Sequence, residues 1–314
     1  MRFVKVATAD GDRIGVVDRA DVVHLAERAD RIEAHLGDDG EALQRLGESI
    51  LDSPAARIAL SDADLRRPVD PPSLRDFMVF EEHVAPAWRA SGLERGPDVW
   101  YRQPIGYFGN AATVLGPRDP VEVPGGSFQL DFELEVGAVV GREARSVTPE
   151  AAADLIAGYL VLCDWSARDQ QFAEMAGHLG PFKGKDFATS LGPLLVTPDE
   201  IADRRHGTGY DLRMTASVNG RVHGEDLWSS AYWSFEELIS YASWNSRVET
   251  GALIGSGTCQ GGCILELALR HGEAAHPWLA AGDRIELSIE RLGGIVAPVR
   301  TAVRQTWPGF RETD

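Results

Sequence analysis

The sequence predicts an α+β protein that is rich in β-structure and begins with a small α+β domain. Two observations carry this prediction. After residue 72, short apolar runs bounded by Gly and Pro outnumber segments with the 3.6-residue periodicity of an amphipathic helix. Before residue 60, a hairpin pattern is followed by a stretch rich in Ala, Leu and charged residues. The 314 residues are enough for two domains of about 150 residues each.

The first 70 residues form the predicted small domain. Two apolar runs flank Asp10-Gly11-Asp12, a sequence typical of a hairpin turn. Residues 25–60 have a helical pattern, which three prolines between positions 68 and 72 then interrupt. Because such a proline-rich stretch is a natural boundary, we expect domains at residues 1–70 and 71–314.

The second domain contains most of the predicted strands and two predicted helices. Asn219-Gly220 marks a tight hairpin turn, since both residues tolerate a positive φ angle. A threonine cap, a proline and an acidic residue predict one helix at 148–157, and Ser234 with two glutamates predicts another at 234–242. The predicted strands span residues 121–123, 131–140, 158–162, 212–218 and 284–289.

Composition and charge narrow the class of protein. Acidic residues outnumber basic ones by 48 to 31, which gives a net charge of −17. A field this negative repels phosphate backbones and anionic lipids, so we expect neither a nucleic-acid nor a membrane partner. The longest apolar stretch has nine residues, far below the roughly 20 of a membrane helix. The sequence therefore predicts a cytoplasmic protein, and an anionic substrate would need a cation in its site.

Acidic residues at strand positions are the first candidates for chemistry. Side chains two apart on a strand share a face, so Glu133 and Glu135 point the same way, and Asp131 is expected on that acidic side too. A solvated strand face is the alternative interpretation. Asp164 follows a buried-looking strand, where an unpaired carboxylate is costly. Arg168 or a metal ion would offset its charge, unless it only caps the following turn.

An aspartate–histidine pair completes this set. His83 follows Asp76 by seven residues in an acidic and aromatic segment, although a lone histidine is more often structural. Four carboxylates without converging His or Cys ligands favour Mg²⁺ or Ca²⁺ over zinc. For Cys259 and Cys263, apolar packing is a better interpretation than half of a zinc site.

Seven short motifs follow one another along the second domain. They are Asp76…His83, Pro104-Ile105-Gly106-Tyr107, Glu133-Leu134-Glu135, Asp164-Trp165-Ser166-Ala167-Arg168-Asp169, Lys185…Thr189, Gly255-Ser256-Gly257-Thr258 and Leu265-Glu266-Leu267. The order of these motifs resembles the fumarylacetoacetate hydrolase family, over about residues 72–305, and the hexapeptide from Asp164 to Asp169 is the most specific single motif.

The resemblance implies a mixed β-sandwich roll that forms a homodimer, with sites near the subunit contact. It also implies a divalent metal ion, Mg²⁺ or alternatively Ca²⁺ or Mn²⁺. His83 matches the general base, and Glu266, expected on a distant strand, matches the carboxylate that orients it. Position by position, the resemblance assigns metal ligands (Asp76, Glu133, Glu135, Asp164), oxyanion-stabilising groups (Arg168, Gln171, Lys185), substrate contacts (Tyr107, Thr258) and a loop residue near the metal (Thr189).

The sequence departs from fumarylacetoacetase itself at two substrate-contacting tyrosines, which are Met78 and Met175 here. These changes remove hydrogen bonds and predict a more apolar substrate pocket. The acylpyruvase branch of the family places a glutamate three residues after its histidine, where this chain has Pro86. That difference favours the pairing of His83 with Glu266.

The resemblance therefore implies a hydrolase that cleaves a carbon–carbon bond in a small anionic 1,3-diketo acid, an acylpyruvate or a fumarylacetoacetate-like compound. In this reaction His83 activates water and the metal keeps the expelled carbanion as an enolate. A decarboxylase, isomerase or hydratase of a 2-oxo acid is the alternative on the same metal site. A non-catalytic binding protein is the third possibility.

Overall fold

A computed structural model describes residues 1–28 and 30–301 of the chain. The described part of residues 1–70 contains five β-strands and one α-helix. β1 and β2 make the expected hairpin, and Gly11 adopts the positive φ of 111° that its turn requires. The helical pattern of residues 25–60 was only partly right, because strands precede and follow the helix. The elements are β1 (Arg2–Thr8), β2 (Gly11–Val17), β3 (Val22–Leu25), a 3₁₀ turn (Ile32–His35), α1 (Glu41–Asp52), β4 (Ala56–Ala59), a 3₁₀ turn (Leu60–Asp62) and β5 (Leu65–Arg66).

The middle of the chain contains the long buried strands. The expected strand 131–140 is broken at Phe132 and Glu133, because its two parts join different sheets. The elements are β6 (Leu74–Phe77), α2 (Glu81–Ala90), α3 (Asp98–Arg102), β7 (Gly106–Gly109), a 3₁₀ turn (Ala111–Thr113), β8 (Val114–Leu115), β9 (Val121–Glu122), β10 (Leu130–Asp131), β11 (Leu134–Val140), α4 (Pro149–Ala152), a 3₁₀ turn (Ala153–Leu155), β12 (Ile156–Asp164), β13 (Ser166–Ala167) and α5 (Arg168–Met175).

The helix expected at 148–157 is shorter than predicted. It begins after the Thr148 cap as expected, but the chain becomes strand β12 at Ile156. The reason is burial: eight of the nine residues of β12 lie in the core of a sheet, where an apolar run is favoured in extended form. The predicted strand 158–162 is correspondingly longer.

The last third of the chain matches the predictions more closely. Ser234 forms a capping box with Glu237, and Asn219 and Gly220 have positive φ angles. The elements are β14 (Thr189–Leu191), β15 (Leu195–Val196), a 3₁₀ helix (Pro198–Arg204), β16 (Arg205–His206), β17 (Gly209–Tyr210), β18 (Arg213–Val218), β19 (Arg221–Leu227), a 3₁₀ turn (Trp228–Ser230), α6 (Phe235–Ser243), β20 (Leu253–Gly255), α7 (Ile264–His271), β21 (Arg284–Ile289) and β22 (Gly293–Arg300).

Two large sheets dominate the described residues. Ten strands of a 13-stranded mixed sheet follow the path β4-β3-β2-β1-β15-β12-β11-β20-β6-β7, and the other three lie off it, with β5 paired to β1, β14 to β12 and β8 to β14. A five-stranded sheet has the order β19-β18-β21-β22-β9. The β-rich α+β prediction is confirmed. The strands of residues 1–70 extend the large sheet, since β1 pairs with β15. The division into domains at residue 70 stays a prediction.

Candidate active site

Four buried carboxylates meet where neighbouring strands of the large sheet end. Asp76 lies on β6, Glu135 on β11 and Asp164 at the end of β12, while Glu133 immediately precedes β11. Each of the four offers an oxygen atom, and these four atoms all lie within 4.8 Å of one another. The shared face expected for Glu133 and Glu135 is therefore present. It points into the protein and is not a solvated strand face.

Two glycines allow the carboxylates to approach the backbone. Gly255 is paired in register with Asp76, and a Cβ atom at this position would collide with the Asp76 carboxylate. Gly257 adopts a positive φ of 81°, and its N–H lies 3.2 Å from Asp76 Oδ1 and 3.1 Å from Glu135 Oε2. The Gly255-Ser256-Gly257 motif thus supplies space and a backbone donor to the cluster.

Three further side chains bind to the cluster. Lys185 is buried; its Nζ contacts the Glu133 carboxylate and donates to Asp164 Oδ2 at 2.6 Å. The Tyr107 hydroxyl also donates to Asp164 Oδ2 at 2.6 Å. Arg168 Nη2 lies 2.7 Å from Glu133 Oε1, at ion-pair distance without hydrogen-bond alignment. Among the described side chains Lys185 is the cation that contacts Asp164, whereas Arg168 pairs with other carboxylates, so the expected Arg168 partner was wrong and the expected metal ion stays a prediction.

The pKa values in the cluster diverge. The pKa of Asp76 is raised to about 6 and that of Asp164 to about 7, mainly because both carboxyl groups are buried. Burial and the nearby Asp76 raise the pKa of Glu135 well above its usual range. Burial opposes ionisation of Glu133 as well, but the charges of Arg168, Lys185 and His83 outweigh it and lower its pKa. Without a bound metal ion, the carboxylate cluster therefore retains protons near neutral pH.

The cluster fits a hard divalent cation. Oxygen donors alone make up the set, as Mg²⁺ and Ca²⁺ prefer. In addition, Glu135 Oε1 is buried and has no hydrogen-bond partner among the described residues. A buried oxygen without a partner is costly, and a bound cation would satisfy it.

A histidine–glutamate pair contributes the second chemical group. His83 lies in the first turn of α2, and its Nδ1 is 3.0 Å from Glu266 Oε2. Glu266 is buried and also accepts the Gly261 N–H at 2.7 Å. It lies on helix α7, so the expectation that it belongs to a strand was wrong. With Nδ1 bound to the carboxylate, Nε2 of the ring is the nitrogen that can accept a proton.

Asp131 has a different role from the one expected. Instead of sharing the acidic face, it accepts Arg168 Nε at 2.8 Å and the N–H groups of Ile264 and Leu265 at 2.7 and 3.0 Å. It thereby joins Arg168 to the start of α7, which carries Glu266. The sequence did not predict this role, because a continuous strand through residues 131–140 would place Asp131 on the same face as Glu133 and Glu135.

The other predicted site residues differ in their burial and in whether they line a cavity. Tyr107 and Lys185 line a cavity of about 310 Å³, together with Phe108 and Phe182. Gln171 Oε1 accepts Arg168 Nη1 at 3.0 Å, and Thr189 is paired in register with Asp164. Thr258 is buried, Met78 is half-buried and Met175 is exposed. Neither methionine lines the cavity, so their contact with substrate stays a prediction.

The fold and the site define a class of β-rich proteins in which a buried carboxylate cluster adjoins a His–Glu pair. A family model described as fumarylacetoacetate (FAA) hydrolase C-terminal matches residues 76–300. The chain belongs to the fumarylacetoacetate hydrolase family, an enzymatic family with hydrolase and isomerase members. The resemblance seen in the motifs is confirmed.

Similar proteins carry different names. The chain is 29% identical over 264 residues to a mitochondrial oxaloacetate tautomerase, fahd2, of Xenopus laevis, covering 83% of this chain and 76% of that protein. It is 33% identical over 194 residues to 2,4-didehydro-3-deoxy-L-rhamnonate hydrolase of Sphingomonas sp. (strain SKA58), covering 61% and 63%. The structure of maleylpyruvate hydrolase from Sphingobium sp. SYK-6 matches with a TM-score of 0.69 at 22% identity, over 96% of this chain and all of the other. That structure supports the fold, which is the mixed β-sandwich roll expected from the resemblance.

Within the described part of the chain, none of the helices combines the length and the apolar character needed to cross a bilayer.

Proposed function

We propose that the protein hydrolyses a carbon–carbon bond in a small anionic 1,3-diketo acid, an acylpyruvate or a fumarylacetoacetate-like compound. The observation that carries this proposal is the contact of 3.0 Å between His83 Nδ1 and the buried Glu266 beside the carboxylate cluster. Activation of water needs a base of this kind, whereas decarboxylation does not. Base catalysis by a positioned histidine is typically worth ~10²–10⁴ in rate.

The proposed cofactor is Mg²⁺, alternatively Ca²⁺ or Mn²⁺. Asp76, Glu133, Glu135 and Asp164 would hold it. When bound, the ion would polarise the diketo oxygens and offset the negative charge of the substrate. Lys185, which contacts Glu133 and Asp164, would keep these two carboxylates in place.

The proposed hydrolysis begins with His83. Its Nε2 takes a proton from water, and Glu266 stabilises the imidazolium that forms. The hydroxide adds to the acyl carbonyl, which becomes a tetrahedral oxyanion. The bond between this carbon and the central CH₂ then breaks, and its electron pair remains on the leaving 2-oxo acid. His83 returns a proton to that fragment, so water and an acylpyruvate become a carboxylic acid and pyruvate.

Donors for the oxyanion are available beside the cavity. An ammonium group has three N–H donors, and Lys185 uses two of them on Asp164 and Glu133, so one remains for the cavity that Lys185 lines. The acceptor oxygen of Gln171 is bound to Arg168, which leaves its amide nitrogen as a donor. Arg168 is buried and would act mainly by orienting Gln171 and Glu133.

Isomerisation of a 2-oxo acid is the second candidate, because the chain resembles an oxaloacetate tautomerase over 83% of its length. In that reaction His83 would move a proton between carbon and oxygen without activating water. The two candidates consume enol absorbance alike but differ in products, since hydrolysis alone yields two fragments.

The proposal includes a homodimer in the cytoplasm. Support for the dimer comes from large apolar side chains that are exposed, among them Phe108 (80% exposed), which lines the cavity, Leu179 (81%) and Phe128 (74%).

The test is a panel of 3-acylpyruvates, oxaloacetate and fumarylacetoacetate, incubated with the Mg²⁺-loaded protein. Loss of enol absorbance with release of equimolar pyruvate and carboxylic acid from an acylpyruvate is the expected result. Turnover of oxaloacetate tautomers without any carbon–carbon cleavage on the panel would favour the isomerase instead.

A further inference from the structure

Arg270 links the two helices that carry the His–Glu pair. It lies one turn after Glu266 on α7, and its Nε donates to Glu266 Oε1 at 2.8 Å. Its Nη2 reaches across to α2, where it donates to the backbone carbonyl of Glu82 at 2.5 Å. Glu82 immediately precedes His83. A single guanidinium group therefore contacts both the carboxylate that binds the imidazole and the backbone that carries it.

The two oxygens of Glu266 have different partners. Oε2 accepts both His83 Nδ1 and the Gly261 N–H, at 3.0 and 2.7 Å. Oε1 has Arg270 as its hydrogen-bond partner among the described residues. The side chain of Glu266 is only 1% exposed while Arg270 is in place, so Arg270 and not water serves this oxygen. Loss of Arg270 would leave a buried charged oxygen without a donor and would free the carboxylate plane to rotate.

The geometry also requires arginine in particular. Nε and Nη2 are donors on a rigid planar fork, and each serves a different helix. A lysine at this position would keep the positive charge but would lack the fixed angle between two donors.

We propose that Arg270 is a positioning residue for His83. It fixes the orientation of the Glu266 carboxylate relative to the start of α2. As a result, Nε2 of His83 stays directed at the water molecule from which it takes a proton. The inference rests on the proposed function for its kinetic consequence, but the orientation of the imidazole is a property of the free protein.

The kinetic test compares Arg270→Gln and Arg270→Lys with the wild type on the acylpyruvate that it cleaves best. We expect Arg270→Gln to lower kcat by roughly 10–100-fold, the usual effect of losing an outer hydrogen bond to a site group, with KM within about threefold. Arg270→Lys should recover part of the loss. The matched control is Arg204→Gln, since Arg204 likewise contacts a glutamate, Glu290, and a backbone carbonyl, and is similarly exposed at 31%. Its kcat should equal that of the wild type.

The second readout is NMR of the imidazole nitrogens in protein labelled with ¹⁵N-histidine, with the His83 signals assigned from His83→Ala. Arg270→Gln should shift the His83 Nδ1 and Nε2 resonances, and Arg204→Gln should leave them unchanged. Unchanged His83 resonances, a kcat within twofold of the wild type, or an equal loss in the control would overturn the proposal. If the wild type cleaves no diketo acid, the proposed function has failed, and the resonances alone decide whether Arg270 positions His83.

Discussion

Removal of the divalent cation should make the stability of the protein strongly pH-dependent. Burial raises the pKa of Asp76 from 3.8 to about 6 and that of Asp164 from 3.8 to about 7. Between pH ~4 and ~7 the metal-free native state therefore binds more protons than the unfolded state, and its free energy of unfolding falls as the pH rises. Each pKa unit corresponds to about 1.4 kcal/mol, so these carboxylates lower stability by roughly 3–4 kcal/mol each by pH 8.

Glu133 contributes with the opposite sign, because its pKa is lowered. Its stabilising effect is present above the unfolded pKa of about 4.5 and is lost as the pH falls, below the window in question. The assay is thermal unfolding in EDTA from pH 5 to 8, repeated with Mg²⁺. We expect the Tm without metal to drop by roughly 5–10 °C over this range, and Mg²⁺ to restore most of it at pH 8.

The control for this experiment is Asp164→Asn. The whole chain carries a net charge of −17, whose self-repulsion also grows with pH. If the cluster causes the effect, Asp164→Asn should flatten the pH dependence without metal, whereas Asp62→Asn, at an exposed aspartate, should not. A metal-free wild type as stable at pH 8 as at pH 5, or an unchanged slope in Asp164→Asn, would refute the reasoning.

Three further predictions follow from the site. Glu135→Ala should abolish both divalent-metal binding and activity while the domain stays folded, because the raised pKa of Glu135 favours its uncharged form when no metal is bound. Titration calorimetry with Mg²⁺ checks this, with Glu122→Ala as the control. Full activity of Glu135→Ala would contradict it. Substrates with an apolar acyl group should be preferred over fumarylacetoacetate, since Phe108 and Phe182 line the cavity; a tenfold higher kcat/KM for fumarylacetoacetate would exclude this. Asp131→Asn should cost about 3 kcal/mol of stability, because the buried Arg168 would lose one of its two charge partners and keep only Glu133. A denaturant midpoint equal to that of the wild type would argue against this role.

The fold class and the site motifs could be predicted from the sequence because they depend on local patterns. Alternation placed Glu133 and Glu135 on one face, and Asn219-Gly220 marked a hairpin through its backbone angles. The hexapeptide from Asp164 to Asp169 identified the family. These signals are present in short segments and do not depend on how distant segments pack.

The errors came from interactions between distant segments. The basic side chain that contacts Asp164 proved to be Lys185 and not Arg168, because the loop before β14 returns to the end of β12. Asp131 binds the start of α7, which is 133 residues further along the chain. Glu266 was expected on a strand because its short apolar surroundings fit a strand and a buried helix equally well.

The proposed catalytic pair is tested most directly by a double-mutant cycle on kcat with His83→Ala, Glu266→Gln and the combined variant. His83→Ala should lower kcat by ~10²–10⁴ and leave Mg²⁺ affinity close to that of the wild type. Adding Glu266→Gln to His83→Ala should cost little more, since residues that act as a unit are strongly non-additive. Thermal unfolding of all four proteins separates this coupling from loss of structure. Independent, additive losses, or near-normal turnover in His83→Ala, would contradict the role of His83 as the base that activates water.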